Sequence, residues 1–180
     1  MNLYLRLLRI LLRQWWTAKQ TDPTLRRKLF FRVWPHDCDL NLHLTNSRYL
    51  AFMDLCRIDW FLGLGFRRAI WKYKWQFVVS AQEITYIREL APFTRFRIST
   101  QLLGWDEKYF YVEHRVASKG RLHAIAHVRV AALQGGKVIS MKEVFSRAGF
   151  GPMETSVPEA VDIWKQLLEH KKWLNQSQKS

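Results

Sequence analysis

Between Leu50 and Leu64 apolar residues occupy almost every face of a helix, interrupted mainly by Asp54, Arg57 and Asp59, and the run closes at Gly63 and Gly65. A helix apolar all round is one that neighbours wrap on most sides. From about Trp75 the period changes to two. Gln76 to Tyr86 alternates, and in Arg95 to Leu103 the side chains of Phe96, Ile98 and Leu102 face one way while Arg95, Arg97, Ser99 and Gln101 face the other. Tyr109 to Ala117 alternates again, and Leu122, Ala124, Ala126, Val128 and Val130 form the inner face of a further strand that ends at Gly135-Gly136. Turns at Gly104 to Glu107 and Ser118 to Gly120 separate these runs, so the pattern predicts consecutive antiparallel strands in one sheet. Ahead of the helix, Leu29 to Trp34 reads as a strand ending at Pro35.

The ends of the chain carry helical periodicity. Met1 to Ala18 places Arg6, Arg9 and Arg13 on one side, while Leu3, Tyr4, Leu5, Leu7, Leu8, Ile10, Leu11, Leu12, Trp15 and Trp16 cover the rest. That pattern suits an interfacial helix with a basic stripe and aromatic anchors, and it equally suits a helix packed on the domain or on a partner subunit. Arginines this near the middle argue against a membrane span. Thr21 to Thr24 reads as a turn. Two short C-terminal helices each open on a Ser-x-x-Glu capping box, at Ser140 to Glu143 and at Ser156 to Glu159, the second with a packing stripe of Val161, Trp164, Leu167 and Leu168. The resulting division is an amphipathic basic helix over 1–20, a globular domain over 25–150, a helix over 156–174 and a frayed polar tail over 175–180.

Composition narrows this picture. A chain of 180 residues is long enough for one real core, and 14% aromatic residues with nine Trp argue for large buried apolar surfaces. Two cysteines, Cys38 and Cys56, are too few for a disulfide framework, which fits a cytoplasmic protein. The net charge of +14 suits an anionic partner: nucleic acid, an anionic membrane or a small molecule. No nucleic-acid-binding motif accompanies the charge, so no nucleic acid is expected as partner, whereas residues 1–18 suggest peripheral contact with the inner face of a membrane.

Candidate chemistry concentrates in Asp37-Cys-Asp-Leu-Asn-Leu-His-Leu-Thr-Asn-Ser-Arg-Tyr49, at the junction between the first strand and the core helix. Helix-start N–H groups lack internal partners and favour a developing anion. Asp37, Asp39 and Asn41 match the opening of a calcium loop, but Leu42 and Arg48 stand where such a loop needs Gly and Glu. His36 and His43 lack a third zinc ligand at a recognised spacing, so no metal site is expected. A Cys38 nucleophile would lack any family signature. Asp and Asn also build turns and caps, and for Asp37 that scaffold role is the favoured one.

The stretch from Asp37 to Tyr49 resembles the Asp-x-Asp-x-Asn-x-His-x-Asn-Asn-x-x-Tyr signature of hotdog-fold thioesterases of the 4-hydroxybenzoyl-CoA thioesterase superfamily, which includes acyl-ACP and acyl-CoA thioesterases. The likeness runs from about Leu29 to Gln134, through Asp54 and Arg57, Leu90-Ala-Pro-Phe93, Leu102 to Glu107 and Phe110 to Glu113. It implies an α+β hotdog fold, a curved antiparallel sheet wrapped around one long central helix, here with extra N- and C-terminal helices. It further implies hydrolysis of an acyl-CoA or acyl-ACP thioester without a cofactor, in a homodimer or higher assembly. Asp39 would be nucleophile or general base, with Asn41 and His43 orienting it or the water. Thr45 and Asn46 would mark the helix start that receives the oxyanion, Tyr49 would touch substrate, and Arg67 and Arg68 would meet its phosphates. Two positions depart from the signature: Leu42 replaces the usual Gly and Thr45 the first of the paired Asn. These departures leave open a hotdog protein that binds acyl thioesters or lipids at a membrane without cleaving them. A hotdog dehydratase fits Asp39 and Asn41 less well.

Overall fold

The computed structural model describes residues 3–14, 16, 22–150 and 156–177, with only the backbone of the last three. Trp15, the stretch 17–21 and the end of the expected tail at 178–180 lie outside the described residues. The elements are α1 (Leu3–Arg13), β1 (Arg27–Arg32), α2 (Asn46–Gly63), α3 (Phe66–Tyr73), β2 (Gln76–Tyr86), β3 (Arg95–Trp105), β4 (Tyr109–Ser118), β5 (Arg121–Gln134), β6 (Lys137–Ile139), α4 (Met141–Arg147) and α5 (Glu159–Ser177). One antiparallel sheet of order β1-β3-β4-β5-β2, with β6 paired to β5, curls around α2. This is the α+β hotdog arrangement that the resemblance implies.

Alternation decides which strand residues meet the helix. Phe96 and Ile98 of β3, Val112 and Val116 of β4, and Ala124, Ala126 and Val128 of β5 are buried. They meet α2 in two clusters. Phe52, Met53 and Cys56 pack with Leu29, Phe96 and Ile98 near its start, while Trp60 packs with Phe66, Trp75 and Phe110 near its end. Three register shifts, between Val79 and Ala81, Leu102 and Gly104, and Val116 and Ala117, bend the sheet as bulges do. At the second, Gly104 takes φ +155, and a Cβ there would run into the backbone carbonyl of Ser156 as the chain crosses toward α5. Beyond that crossing Val161 and Trp164 pack on Tyr111 over the outer face of the sheet, and Leu168 joins them. Leu167 does not; it faces solvent.

Several boundaries move from their sequence-based positions. β1 begins at Arg27, two residues before Leu29, and Gly135-Gly136 is the turn of a hairpin into β6. The basic segment after Gly65 is a helix, α3, whose Phe66 and Ala69 are buried. Ser140 caps α4, accepting from the Glu143 N–H, whereas α5 starts only at Glu159 and continues through Ser177, past the expected end at 174.

For α1 the structure shows the packed alternative, with two of the three arginines of the stripe turned to carboxylates of the domain. Arg6 is buried and donates to Asp37 at 2.7 Å, and its guanidinium lies 4.5 Å from the Phe52 ring centroid. Arg13 donates to Asp59 at 2.8 Å, with Arg27 of β1 on the other oxygen at 3.0 Å. Ile10 enters the core beside Leu3 and Leu7. Two buried carboxylates, one ahead of α2 and one near its end, thus pair with Arg6 and Arg13, while Arg9 stays exposed. Gly63 contributes by having no side chain, because a Cβ there would collide with the Arg27 guanidinium.

A second buried polar group lies under the middle of α2. His114 of β4 is fully enclosed, with Nε2 3.5 Å from Arg57 and Nδ1 2.9 Å from the Thr100 hydroxyl. Arginine only donates, so Nε2 is the acceptor and Nδ1 carries the proton. Burial first, then the charges of Arg57 and His127, hold His114 well below its ordinary 6.5 and keep it neutral.

Two stability predictions follow from these buried groups. Asp59→Asn removes the buried carboxylate that Arg13 and Arg27 share and should destabilise the protein by about 3–5 kcal/mol, read as a lower urea midpoint. The unfolded chain takes a proton on His114 near its ordinary value and the native state does not, so stability should fall as pH drops through that region. The slope approaches about 1.4 kcal/mol per pH unit for one proton, and His114→Gln should remove that share of it in urea titrations across pH.

Candidate functional site

The polar stretch folds into a tight loop between β1 and α2. A 3-10 turn over Pro35–Asp37 follows Trp34, and a bridge between Cys38 and Leu44 closes the base of the loop. Inside it the Asp39 N–H donates to the His43 carbonyl at 2.9 Å and the Leu42 N–H to the Asp39 carbonyl at 3.1 Å. Leu42 sits at φ +58, the left-handed region that glycine enters without penalty. The departure from the signature is therefore accommodated by strain in one residue, and the loop keeps its shape.

The two aspartates have different environments. Asp37 is 1% exposed; its Oδ2 accepts from Arg6 and from the Trp34 N–H at 3.1 Å. Arg48 and His36 stand 3.6 and 3.7 Å from Oδ1. Its carbonyl takes the Thr45 N–H at 3.0 Å, fixing the start of α2. Asp37 is scaffold. Asp39 is exposed: its Oδ1 accepts the N–H groups of Asn41 at 2.9 Å and His43 at 3.3 Å, and Oδ2 makes no hydrogen bond among the described residues. One oxygen is held by the backbone and the other is left available.

Asn41 and His43 orient Asp39 through their backbone N–H groups. The His43 imidazole turns instead to Glu89, its Nε2 2.9 Å from the carboxylate. Leu44 brings the two segments together, donating its N–H to the Leu90 carbonyl at 2.9 Å. Glu89 escaped sequence reasoning because it is a lone acid in a loop some forty-six positions away, with no spacing that ties it to His43.

Thr45 is the N-cap of α2 and makes no side-chain cap bond, and Asn46 is the first helical residue. The N–H groups of Asn46 and Ser47 have no acceptor among the described residues, so the helix start is open to an anion. Tyr49 is buried in the core, edge-on to Tyr86 at 5.3 Å, and burial first and then Tyr86 push its hydroxyl up to about 12. Arg67 and Arg68 are exposed on α3, at the other end of an 18-residue helix about 27 Å long. The structure thus gathers Asp39, Asn41, His43, Thr45 and Asn46 and separates Arg67 and Arg68 from them within the chain.

The cysteine alternative loses ground here. Partial burial, then Asp37, then Asp39 raise the Cys38 thiol and keep it protonated, with Sγ 3.5 Å from the Trp34 carbonyl. Leu40 and Leu42 project outward at the loop tip.

Residues 33–149 match the family model of the thioesterase-like superfamily. Protein THEM6 of Danio rerio is 34% identical over 134 residues, which cover 73% of this chain and 66% of that protein. The probable thioesterase YBR096W of Saccharomyces cerevisiae is 26% identical over 118 residues, 64% of this chain and 51% of that protein. The chain spans between two-fifths and two-thirds of the length of the curated relatives it matches. Among solved structures, a probable thioesterase from Bartonella henselae superposes with a TM-score of 0.60 at 22% identity, covering 65% of this chain and 99% of that one. That likeness shows the fold.

Residue 42 offers a direct test of the loop geometry. Leu42→Asn, which tolerates the left-handed region, should raise stability by about 0.5–1 kcal/mol. Leu42→Val should lower it by about 1 kcal/mol or more, both read from thermal unfolding.

Proposed function

The chain belongs to the thioesterase-like superfamily, and from that membership we propose that it hydrolyses an acyl-CoA or acyl-ACP thioester to a free acid and a thiol. The observation that carries the reading is Asp39, with Oδ1 pinned by two backbone N–H groups and Oδ2 unengaged, close in sequence to a helix start whose first N–H groups have no acceptor. Oδ2 either attacks the thioester carbon, giving a mixed anhydride that water then opens, or takes a proton from the attacking water. Both routes consume one water, release the thiol and build a negative oxygen on the carbonyl. The N–H groups of Asn46 and Ser47 are the donors for that oxygen, each such donor being worth about 10² to 10³ in rate. Glu89 holds the His43 ring, and His43 in turn helps fix Asp39 through its own N–H. Arg67 and Arg68, carried on α3, meet the phosphates at the far end of the substrate's long arm. No cofactor takes part in this chemistry.

The working unit is a homodimer. Strand β2, eleven residues long, pairs with β5 on one side and among the described residues has no strand on the other, with Val78, Val79 and Tyr86 exposed. An open edge of that length with apolar side chains is a site for pairing with another strand. The protein works in the cytoplasm at the inner face of the membrane.

Thiol release from a panel of acyl-CoA chain lengths tests this reading. Wild type should turn over at least one member, and Asp39→Asn should lose about 10² to 10⁴ in kcat/KM at unchanged stability. Full activity in Asp39→Asn would remove that residue from its role. A long-lived intact acyl-CoA complex in native mass spectrometry, with no thiol released, would instead favour a non-catalytic binding protein.

A further inference from the structure

With Arg6 and Arg13 bound to carboxylates of the domain, α1 presents an apolar face that is uncovered among the described residues. At about 100° per residue the helix has three sides. Leu3, Leu7 and Ile10 face the core, and Arg6, Arg9 and Arg13 form the second side. The third side is Tyr4, Leu5, Leu8, Leu11 and Leu12, with exposures of 40–76%, and Trp16 continues beyond it at 82%. Surface helices normally place such a row against the protein, so its outward aim points to a partner outside the chain.

The second side of α1 opens onto a concavity of about 870 Å³ shared with β1, β3 and the turn after β4. Its lining is strongly basic and includes no carboxylate. Arg6 and Arg13 are committed to Asp37 and Asp59, but Arg9, Arg32, Arg95, Arg97 and Lys119 form no ion pair among the described residues. Phe30, 73% exposed, and Trp34, with the Arg32 guanidinium 5.9 Å from its ring centroid, add aromatic surface to the same wall. Apolar row and basic groove adjoin on one helix.

We propose that this combined surface docks on an anionic lipid bilayer, the leucines of α1 entering the apolar layer while the groove receives lipid phosphates. Charge complementarity selects the occupant. A second copy of this chain, at net charge +14, would bring an identical unpaired basic groove toward its own, whereas an anionic bilayer brings the opposite charge. No helix among the described residues is long and apolar enough to cross the bilayer, so the contact is with its surface.

Vesicle flotation with the full chain tests the proposal, independently of whether any thioester is hydrolysed. Binding should require phosphatidylserine mixed into phosphatidylcholine and should weaken as salt rises. The double variant Leu8→Glu/Leu12→Glu should bind at least about tenfold more weakly. Arg95→Gln/Arg97→Gln should lose about thirtyfold, a factor of about five per cation. All four positions are exposed, and matching thermal unfolding curves would establish intact folds; the two pairs probe the two halves of the surface separately. Vesicle binding unchanged by both pairs would overturn the proposal. So would absence of vesicle binding together with an oligomer that Leu8→Glu/Leu12→Glu dissolves, which would assign the face to a second copy. Binding of inorganic pyrophosphate without vesicle binding would reduce the groove to an anion site and also overturn it.

Discussion

A carboxylate taken out of water must be paired, and two of them, Asp37 and Asp59, set the arrangement of this protein. Asp37 binds Arg6, receives the Trp34 N–H and offers its carbonyl to Thr45, so helix α1, the polar loop and the start of α2 meet at one residue. Asp59, near the end of α2, binds Arg13 and Arg27 and ties in the other end of α1 and the edge strand. A buried ion pair adds little net stability over an apolar replacement, yet losing one partner is costly. The N-terminal helix is consequently a structural part of the domain, and its registration against α2 is fixed at both ends by charge.

The same reasoning explains how two aspartates separated by one residue come to stand in different surroundings. Residue type does not distinguish them. Asp37 is shut away from solvent, its Oδ2 bound by Arg6 and the Trp34 N–H and its Oδ1 buried without a hydrogen bond, whereas Asp39 stands at the solvent side of a loop that occupies only one of its oxygens. The loop holds that shape although Leu42 must enter the left-handed region, because four consecutive backbone and side-chain hydrogen bonds over-determine it.

Local periodicity made most of the fold legible. Alternation in β2 to β5 and the uniformly apolar run of α2 report burial directly, since each side chain's environment follows from its place in a period. The helix α3 was hidden because it is short and basic and follows a glycine pair that reads as an ending. The orientation of α1 was hidden for a deeper reason: an amphipathic pattern states that two sides differ, and only the acids waiting on the domain determine which side goes in. In the site, the order Asp39, Asn41, His43 and the helix start were visible as one segment, while Glu89 reaches His43 across the fold through the pairing of Leu44 with Leu90. Contacts of that kind leave no periodic trace.

Gly63 shows what such long-range pairing does to sequence variation. Read along the chain it is a helix-ending glycine, a position where Asn or Ala would ordinarily be tolerated. In the folded protein the space beside its Cα is filled by the Arg27 guanidinium on its way to Asp59. A single methyl group at 63 would force the Arg27 guanidinium to shift at the contact through which it reaches Asp59. Positions 13, 27, 59 and 63 are therefore coupled through one buried carboxylate, although 63 lies far in sequence from 13 and 27.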